Sequence, residues 1–144
     1  MTRGIRNNNP LNIRRGSLWK GMCLIQRDKQ FVQFKDMVHG VRAALYLLSV
    51  YRSKYGITNI EDIITRWAPP SDGNNTKRYI SIVKKNSYLK LCDYIEDDFD
   101  LFVLVSEMSL VESGFSLTPV IYHSAFALLP NKFRQLWTSK NNTL

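Results

Sequence analysis

One stretch of the chain, residues 100–114, is apolar almost all the way round a helical wheel. This pattern predicts a helix that is buried on most of its sides. Asp100 can cap the first turn of that helix, and Gly114 suits the left-handed residue that ends many helices. We therefore expect the chain to fold around this helix.

The rest of the chain alternates between helical periodicity and turn-forming segments. Residues 3–16 contain three consecutive Asn residues followed by Pro10, which predicts an ordered loop. Residues 18–34 predict a short antiparallel β-hairpin. Apolar residues at helical spacing predict further helices over residues 36–55, 58–67, 77–85, 118–129 and 132–137, with a loop at 71–76. The predicted fold class is mainly α, with one small hairpin near the N-terminus.

Boundary signals support two of these helices. Gly56 is placed to end the helix that starts at Asp36, and Thr58 with Glu61 matches a capping box for the next one.

Glu112 falls on the same stripe of the wheel as Leu101, Val105 and Met108. Burial disfavours the charged carboxylate, and the C-terminal end of a helix carries partial negative charge, so both effects raise its pKa. A carboxyl group that is protonated near neutral pH can act as a general acid on a glycosidic oxygen. An unwound last turn would instead leave Glu112 in water, and the pattern alone permits both interpretations.

Composition narrows the class of protein. The 144 residues, of which 44% are hydrophobic, predict a single domain over residues 1–144. No apolar run approaches the length of a membrane span, and the first residues lack the hydrophobic core of a signal peptide. We expect synthesis in the cytoplasm, and if the protein acts outside it, another system must carry it there.

The formal net charge of +8 favours an anionic partner. The basic residues are spread along the chain, so the bacterial cell wall is a better candidate than nucleic acid. Cys23, Cys92, His39 and His123 lack metal-type spacing, so we expect no metal and no cofactor. Whether the two cysteines pair is left open.

Five motifs resemble a family of small bacteriophage and prophage proteins that are often described as virion structural proteins. This resemblance implies a protein that is virion-associated, or delivered to the periplasm or cell wall by another system, with other virion proteins as partners. The motifs are Arg3-Gly-Ile-Arg-Asn-Asn-Asn-Pro-Leu-Asn-Ile-Arg, Trp19-Lys-Gly, Phe31-Val-Gln-Phe, Gly40-Val-Arg-Ala and Arg66-Trp-Ala-Pro-Pro with the following Asn75-Thr and Tyr79.

A second resemblance concerns chemistry. Glu112-Ser-Gly-Phe is similar to the catalytic pattern of lysozyme-like peptidoglycan hydrolases, including lytic transglycosylases and glucosaminidases. The loop at residues 8–14 and the segment at 67–79 also resemble glucosaminidase loops, but here the Glu segment comes last instead of first. The resemblance implies a circularly permuted lysozyme-like domain that cleaves the glycan strands of peptidoglycan.

The same resemblance assigns roles to residues. Glu112 is expected to be the general acid, and amides and aromatic rings are expected to bind the sugars. The expected substrate-binding residues are Asn9, Asn12, Trp67, Asp72, Asn75 and Tyr79.

Two other function classes stay open. One is a non-catalytic virion structural or wall-binding protein, and the other is a basic nucleic-acid-binding protein. The bond that is cut, the choice between hydrolysis and transglycosylation, and the participation of a second carboxylate are also left open by the sequence.

Overall fold

A computed structural model describes residues 1–138 of the chain. This part of the chain is mainly helical, as predicted, and its helices enclose a continuous apolar core. None of these helices is long and apolar enough to cross a membrane. The α-helices are α1 (Arg3–Arg6), α2 (Met37–Tyr55), α3 (Ile60–Trp67), α4 (Thr76–Lys84), α5 (Asp98–Ser113), α6 (Pro119–Ala127) and α7 (Asn131–Leu136), with 3₁₀ turns at Pro70–Asp72 and Leu89–Leu91.

Helix α5 is the buried element that the apolar pattern predicted. Leu101, Val105 and Met108 are fully buried, and Gly114 ends the helix with a φ of 71°. The expected cap at Asp100 was wrong, because the helix begins earlier. Asp97 is the N-cap and accepts a hydrogen bond from the backbone N–H of Asp100 at 2.9 Å, while the Asp100 carboxylate accepts from the backbone N–H of Asp97 at 3.3 Å.

Helix α2 packs against α6 and supports the N-terminal loop. It begins after the N-cap Asp36 and ends at Gly56, both as predicted. Gly40 lies directly under the loop, since a Cβ atom at this position would stand 1.8 Å from the carbonyl oxygen of Asn8. Only a glycine lets the loop backbone lie this close to the helix.

The segment between α3 and α4 is fixed by side-chain caps. Asn59, and not Thr58, caps α3, because its side-chain oxygen accepts from the backbone N–H groups of Glu61 and Asp62. After the 3₁₀ turn, the Thr76 hydroxyl donates to the carbonyl of Ala68 at 2.5 Å. This bond closes residues 68–76 into a compact turn beside the end of α3.

The predicted hairpin over residues 18–34 is not formed. No strand is present within residues 1–138. The bridges that residues 18–34 make are two isolated antiparallel ones, Arg14–Phe31 and Met22–Phe34. The Gln26 side chain instead forms two hydrogen bonds with the backbone of Gln33. It accepts from the N–H at 2.7 Å and donates to the carbonyl at 2.8 Å. Side-chain hydrogen bonds of this kind compete with a strand ladder.

The loop predicted over residues 3–16 begins with a helical turn, α1, which Thr2 caps. The remaining differences are at helix ends. Helix α6 is shorter than the predicted range 118–129, and α7 begins and ends one residue earlier than the predicted range 132–137.

Candidate active site

Glu112 lies in the last turn of α5 with its carboxyl group partly buried. This burial raises the pKa of Glu112 above the ordinary value for glutamate. The Asn12 amide, the Tyr79 hydroxyl, the Trp67 indole and the positive charge of Arg14 all oppose the rise, but they do not cancel it. Glu112 therefore keeps its proton to a higher pH than an exposed glutamate does. The same neighbouring groups can stabilise the carboxylate after the proton leaves.

Asn12 makes the direct contact with Glu112. Its side-chain amide donates to the Glu112 carboxyl oxygen Oε1 at 3.3 Å and to the Glu112 backbone carbonyl at 3.2 Å. Asn12 has a φ of 54°, a left-handed conformation that Asn tolerates better than most residues. The N-terminal loop thus satisfies a carbonyl that the end of a helix would otherwise leave unpaired.

Helix α1 holds this loop against the end of α5. The Thr2 hydroxyl donates to the carbonyl of Ser113 at 2.7 Å. A Cβ atom at Gly4 would stand 2.7 Å from the Cβ atom of Ser113 and 3.1 Å from the side-chain oxygen of Asn12. This close approach at Gly4 positions Asn12 beside Glu112.

Asn9 has a different role from the one expected. It is fully buried, and its amide nitrogen donates to the carbonyls of Ile13 and Val32, both at 2.9 Å. Its amide oxygen accepts from the backbone N–H of Ile13, also at 2.9 Å. The structure therefore places Asn9 in the framework of the loop, with its amide already bonded to the protein.

Tyr79 approaches the carboxyl group from α4. Its side chain is buried, and burial raises the pKa of its hydroxyl, so this group stays neutral. The hydroxyl makes no hydrogen bond of normal geometry within residues 1–138, and the same is true of the side-chain oxygen of Asn12. Two polar atoms beside Glu112 are thus not used by the fold.

A groove of about 580 Å³ separates α4 from α5, and we call it the α4–α5 groove. Its lining includes Asn75, Arg78, Tyr79, Glu107 and Glu112. Asn75 is exposed there and also caps α4, since its side-chain oxygen accepts from the backbone N–H of Arg78 at 3.1 Å.

A second hollow, of about 310 Å³, lies on the side of the N-terminal loop and the end of α3. Asn12, Trp67 and Asp72 line it. Three arginines line it too, so we call it the arginine hollow. They are Arg14, Arg15 and Arg66.

The expected site residues therefore fall into two groups around Glu112. Tyr79 and Asn75 line the α4–α5 groove with it, while Asn12, Trp67 and Asp72 line the arginine hollow. Glu112 connects the two, because Asn12 bonds to it and Trp67 and Tyr79 both affect its pKa. Asn9 alone lies outside both.

Sequence reasoning missed the arginine hollow. It treated the basic residues as spread along the chain, although Arg14 and Arg15 are adjacent and Arg66 precedes Trp67. Arg14 and Arg15 follow Asn12 by two and three residues, but no local pattern indicates that they converge with Arg66.

The described part of the chain contains no group of three His, Cys, Asp or Glu residues that could hold a metal ion. Cys23 and Cys92 are both free thiols. The groups around Glu112 are amides, aromatic rings and arginines.

Comparisons with known proteins give one clear relationship. No protein-family model matches this chain. The chain is similar to Protein P5 of Pseudoalteromonas phage PM2, with 40% identity over 116 residues. The match spans 78% of this chain and 71% of the phage protein.

Proposed function

This chain belongs to the family of Protein P5 of Pseudoalteromonas phage PM2, and on that premise we propose that it is a phage-associated enzyme that cleaves the glycan strands of bacterial peptidoglycan. Glu112 is the general acid in this proposal. A circularly permuted lysozyme-like arrangement, with the Glu-Ser-Gly-Phe segment last, is part of the same proposal.

The observation that carries the proposal is the setting of Glu112. Glu112 lies in the last turn of a core helix, and its carboxyl group is partly buried and has a raised pKa. The carboxyl group lies between the α4–α5 groove and the arginine hollow. Beside it are two polar atoms without a partner among the described residues, the Tyr79 hydroxyl and the Asn12 side-chain oxygen. Perturbed carboxyl groups in clefts with convergent polar atoms are typical of catalytic sites.

The reaction follows from these groups. The protonated Glu112 carboxyl donates its proton to the glycosidic oxygen while the bond between that oxygen and the anomeric carbon breaks. The leaving sugar keeps the proton as a hydroxyl group, and the Asn12 amide stabilises the carboxylate that forms. In hydrolysis, a water molecule then adds hydroxide to the anomeric carbon and returns a proton to Glu112. In transglycosylation, the sugar's own hydroxyl attacks and loses that proton instead.

Two other carboxylates border the site. Glu107 lines the α4–α5 groove with Glu112, but its carboxyl oxygen Oε1 accepts from the Asn86 amide at 2.9 Å. Asp72 is exposed and lines the arginine hollow. Glu107 lines the groove and Asp72 lines the hollow, so the variants Glu107→Gln and Asp72→Asn test separately whether either carboxylate takes part in the reaction.

Incubation with purified peptidoglycan, followed by mass analysis of the released fragments, tests the proposal. A hydrolase releases reducing sugars, and a transglycosylase releases anhydro sugars that are lighter by one water. We expect Glu112→Gln to release neither product, and Glu96→Gln, an exposed carboxylate outside the site, to behave like wild type.

Two results would favour the other function classes. If the wild-type protein binds peptidoglycan without releasing any fragment, it is a non-catalytic virion or wall-binding protein. If it binds DNA with a steep salt dependence and ignores the wall, it is a nucleic-acid-binding protein.

A further inference from the structure

The arginine hollow carries an unbalanced positive charge. Arg14, Arg15 and Arg66 line it, and Asp72 is the one acidic residue in its lining. None of these arginines forms an ion pair within residues 1–138, where the ion pairs are Arg3–Asp28, Asp36–His39 and Lys84–Asp93. Three like charges facing one concave surface favour an anionic ligand.

The guanidinium groups are held by contacts that leave hydrogen-bond donors unused. Arg66 stacks over Tyr55, at 4.0 Å from the ring centre, and Arg14 lies 5.3 Å from the ring centre of Phe31. Arg15 donates from Nη1 to the backbone carbonyl of Asp28 at 3.2 Å. Arg66 also lies 5.2 Å from the ring centre of Tyr51 and acts on the pKa of the Tyr51 hydroxyl. The contacts with aromatic rings do not use up the five N–H donors of a guanidinium group, so N–H groups of Arg14 and Arg66 stay available for a planar acceptor such as a carboxylate.

The hollow adjoins the proposed acid. Arg14 lies close enough to Glu112 for its charge to act on the carboxyl group, and Asn12, which lines the hollow, is hydrogen-bonded to it. The α4–α5 groove differs, because its Arg78 is accompanied by Glu107. The two sides of Glu112 therefore have unequal charge, and a strand lying across both would meet net positive charge on one side only.

We propose that the arginine hollow binds carboxylate groups carried by the glycan strand, so that the chain prefers acid-bearing muramyl sugars to neutral glycan. This inference rests on the proposed function and names the substrate feature that the site selects. Two sources of the carboxylate share the same chemistry. One is the stem peptide, and the other is the lactyl group that becomes a free carboxylate when the peptide is removed.

Three substrates made from one wall preparation separate these sources. The first is glycan strands with their stem peptides, and the second is strands from which an amidase has removed the peptides. The third substrate consists of the same peptide-free strands after their lactyl carboxylates have been converted to neutral methylamides. Rates for all three are measured at low and at high salt with the wild-type protein.

The variant Arg14→Gln/Arg15→Gln/Arg66→Gln tests the residues. We expect the ratio of its rate on acid-bearing strands to its rate on neutral strands to fall about tenfold, as the loss of three exposed charge contacts would produce. The ratio is compared because the loss of Arg14 also changes the pKa of Glu112, which affects both substrates alike. The matched control removes three exposed charges elsewhere, as Arg27→Gln/Lys29→Gln/Lys90→Gln, and is expected to keep the preference. The triple Arg→Lys variant keeps the charge but loses paired donors, so an intermediate preference is expected.

Each outcome has a defined meaning. If peptide-bearing strands alone are favoured over neutral strands, the stem peptide supplies the carboxylate. If the peptide-free acidic strands alone are favoured, the freed lactyl group supplies it, and if both are favoured, the hollow accepts a carboxylate from either source. If the wild type cleaves all three equally at low salt, the inference is wrong while the proposed function stands. Cleavage of none of the three contradicts the proposed function itself. Should the Gln variant not fold, loss of the wild-type preference at high salt still supports the inference, and a salt-independent preference overturns it.

Discussion

The side-chain amide of Asn12 bonds to Glu112 twice, once at the carboxyl oxygen Oε1 and once at the backbone carbonyl. One residue of the N-terminal loop thus both caps the end of α5 and stabilises the charged form of the carboxyl group. The position of the acid and its pKa consequently depend on the same contact. The first prediction tests this dependence.

Asn12→Ala removes a hydrogen bond that lowers the pKa of Glu112, so the pKa should rise further. In the pH profile of peptidoglycan cleavage, the limb that reports loss of the acid's proton should move to higher pH. The maximal rate should fall, because the departing proton leaves a less stabilised carboxylate. A lower rate with an unshifted limb would show that Asn12 only supports the backbone.

Tyr79→Phe removes a hydroxyl group that has no hydrogen-bond partner in the described part of the chain. At pH 4, where Glu112 is protonated, the free energy of unfolding should therefore stay the same or rise slightly, since no hydrogen bond of normal geometry is lost and a buried polar atom is removed. If the hydroxyl binds the sugar or the acid during reaction, kcat/KM should fall about tenfold or more.

Tyr94→Phe is the matched control for this change, because Tyr94 is exposed and lies outside both hollows. If Tyr79→Phe has wild-type kinetics, the Tyr79 hydroxyl takes no part in the proposed reaction.

Asn9→Ala should act on stability. The Asn9 amide makes three hydrogen bonds to buried backbone groups, and its removal leaves those groups unpaired. We expect a loss of about 2–4 kcal/mol in the free energy of unfolding, measured by urea denaturation. A variant with wild-type stability but weakened sugar binding would restore Asn9 to the set of substrate-binding residues.

The contrast between Asn9 and Asn12 shows where sequence reasoning stops. Both are amides in one Asn-rich loop, and both were expected to bind substrate. Which amide faces the carboxyl group depends on contacts with residues far along the chain, Val32 for Asn9 and Glu112 for Asn12. No local pattern carries that information.

The elements that were predicted correctly depend on local chemistry. The apolar stripe of α5 and the left-handed glycines at Gly56 and Gly114 follow from periodicity and backbone preference alone. The predicted hairpin is not formed because the Gln26 side chain hydrogen-bonds to the backbone of Gln33. Strand propensity does not take account of such side-chain competition. The convergence of Arg66 with Arg14 was likewise invisible, because it depends on how α3 packs beside the N-terminal loop.

The last prediction links the pKa of Glu112 to stability. Burial raises this pKa above its value of about 4.5 in the unfolded chain, so the folded protein binds the proton more tightly. The contribution of this group to stability is fully present below the unfolded pKa and is lost as pH rises through the folded pKa. At neutral pH the wild type must hold a partly buried carboxylate, which costs free energy.

Glu112→Gln has no proton to lose, so it should not show this loss. Its melting temperature should match that of the wild type near pH 4 and exceed it increasingly as pH rises towards 8. Paired thermal unfolding curves across this range measure the effect, with Glu96→Gln as the control at an exposed position. A difference that is constant with pH would mean that Glu112 titrates like a glutamate in water, and the general-acid assignment would lose its physical basis.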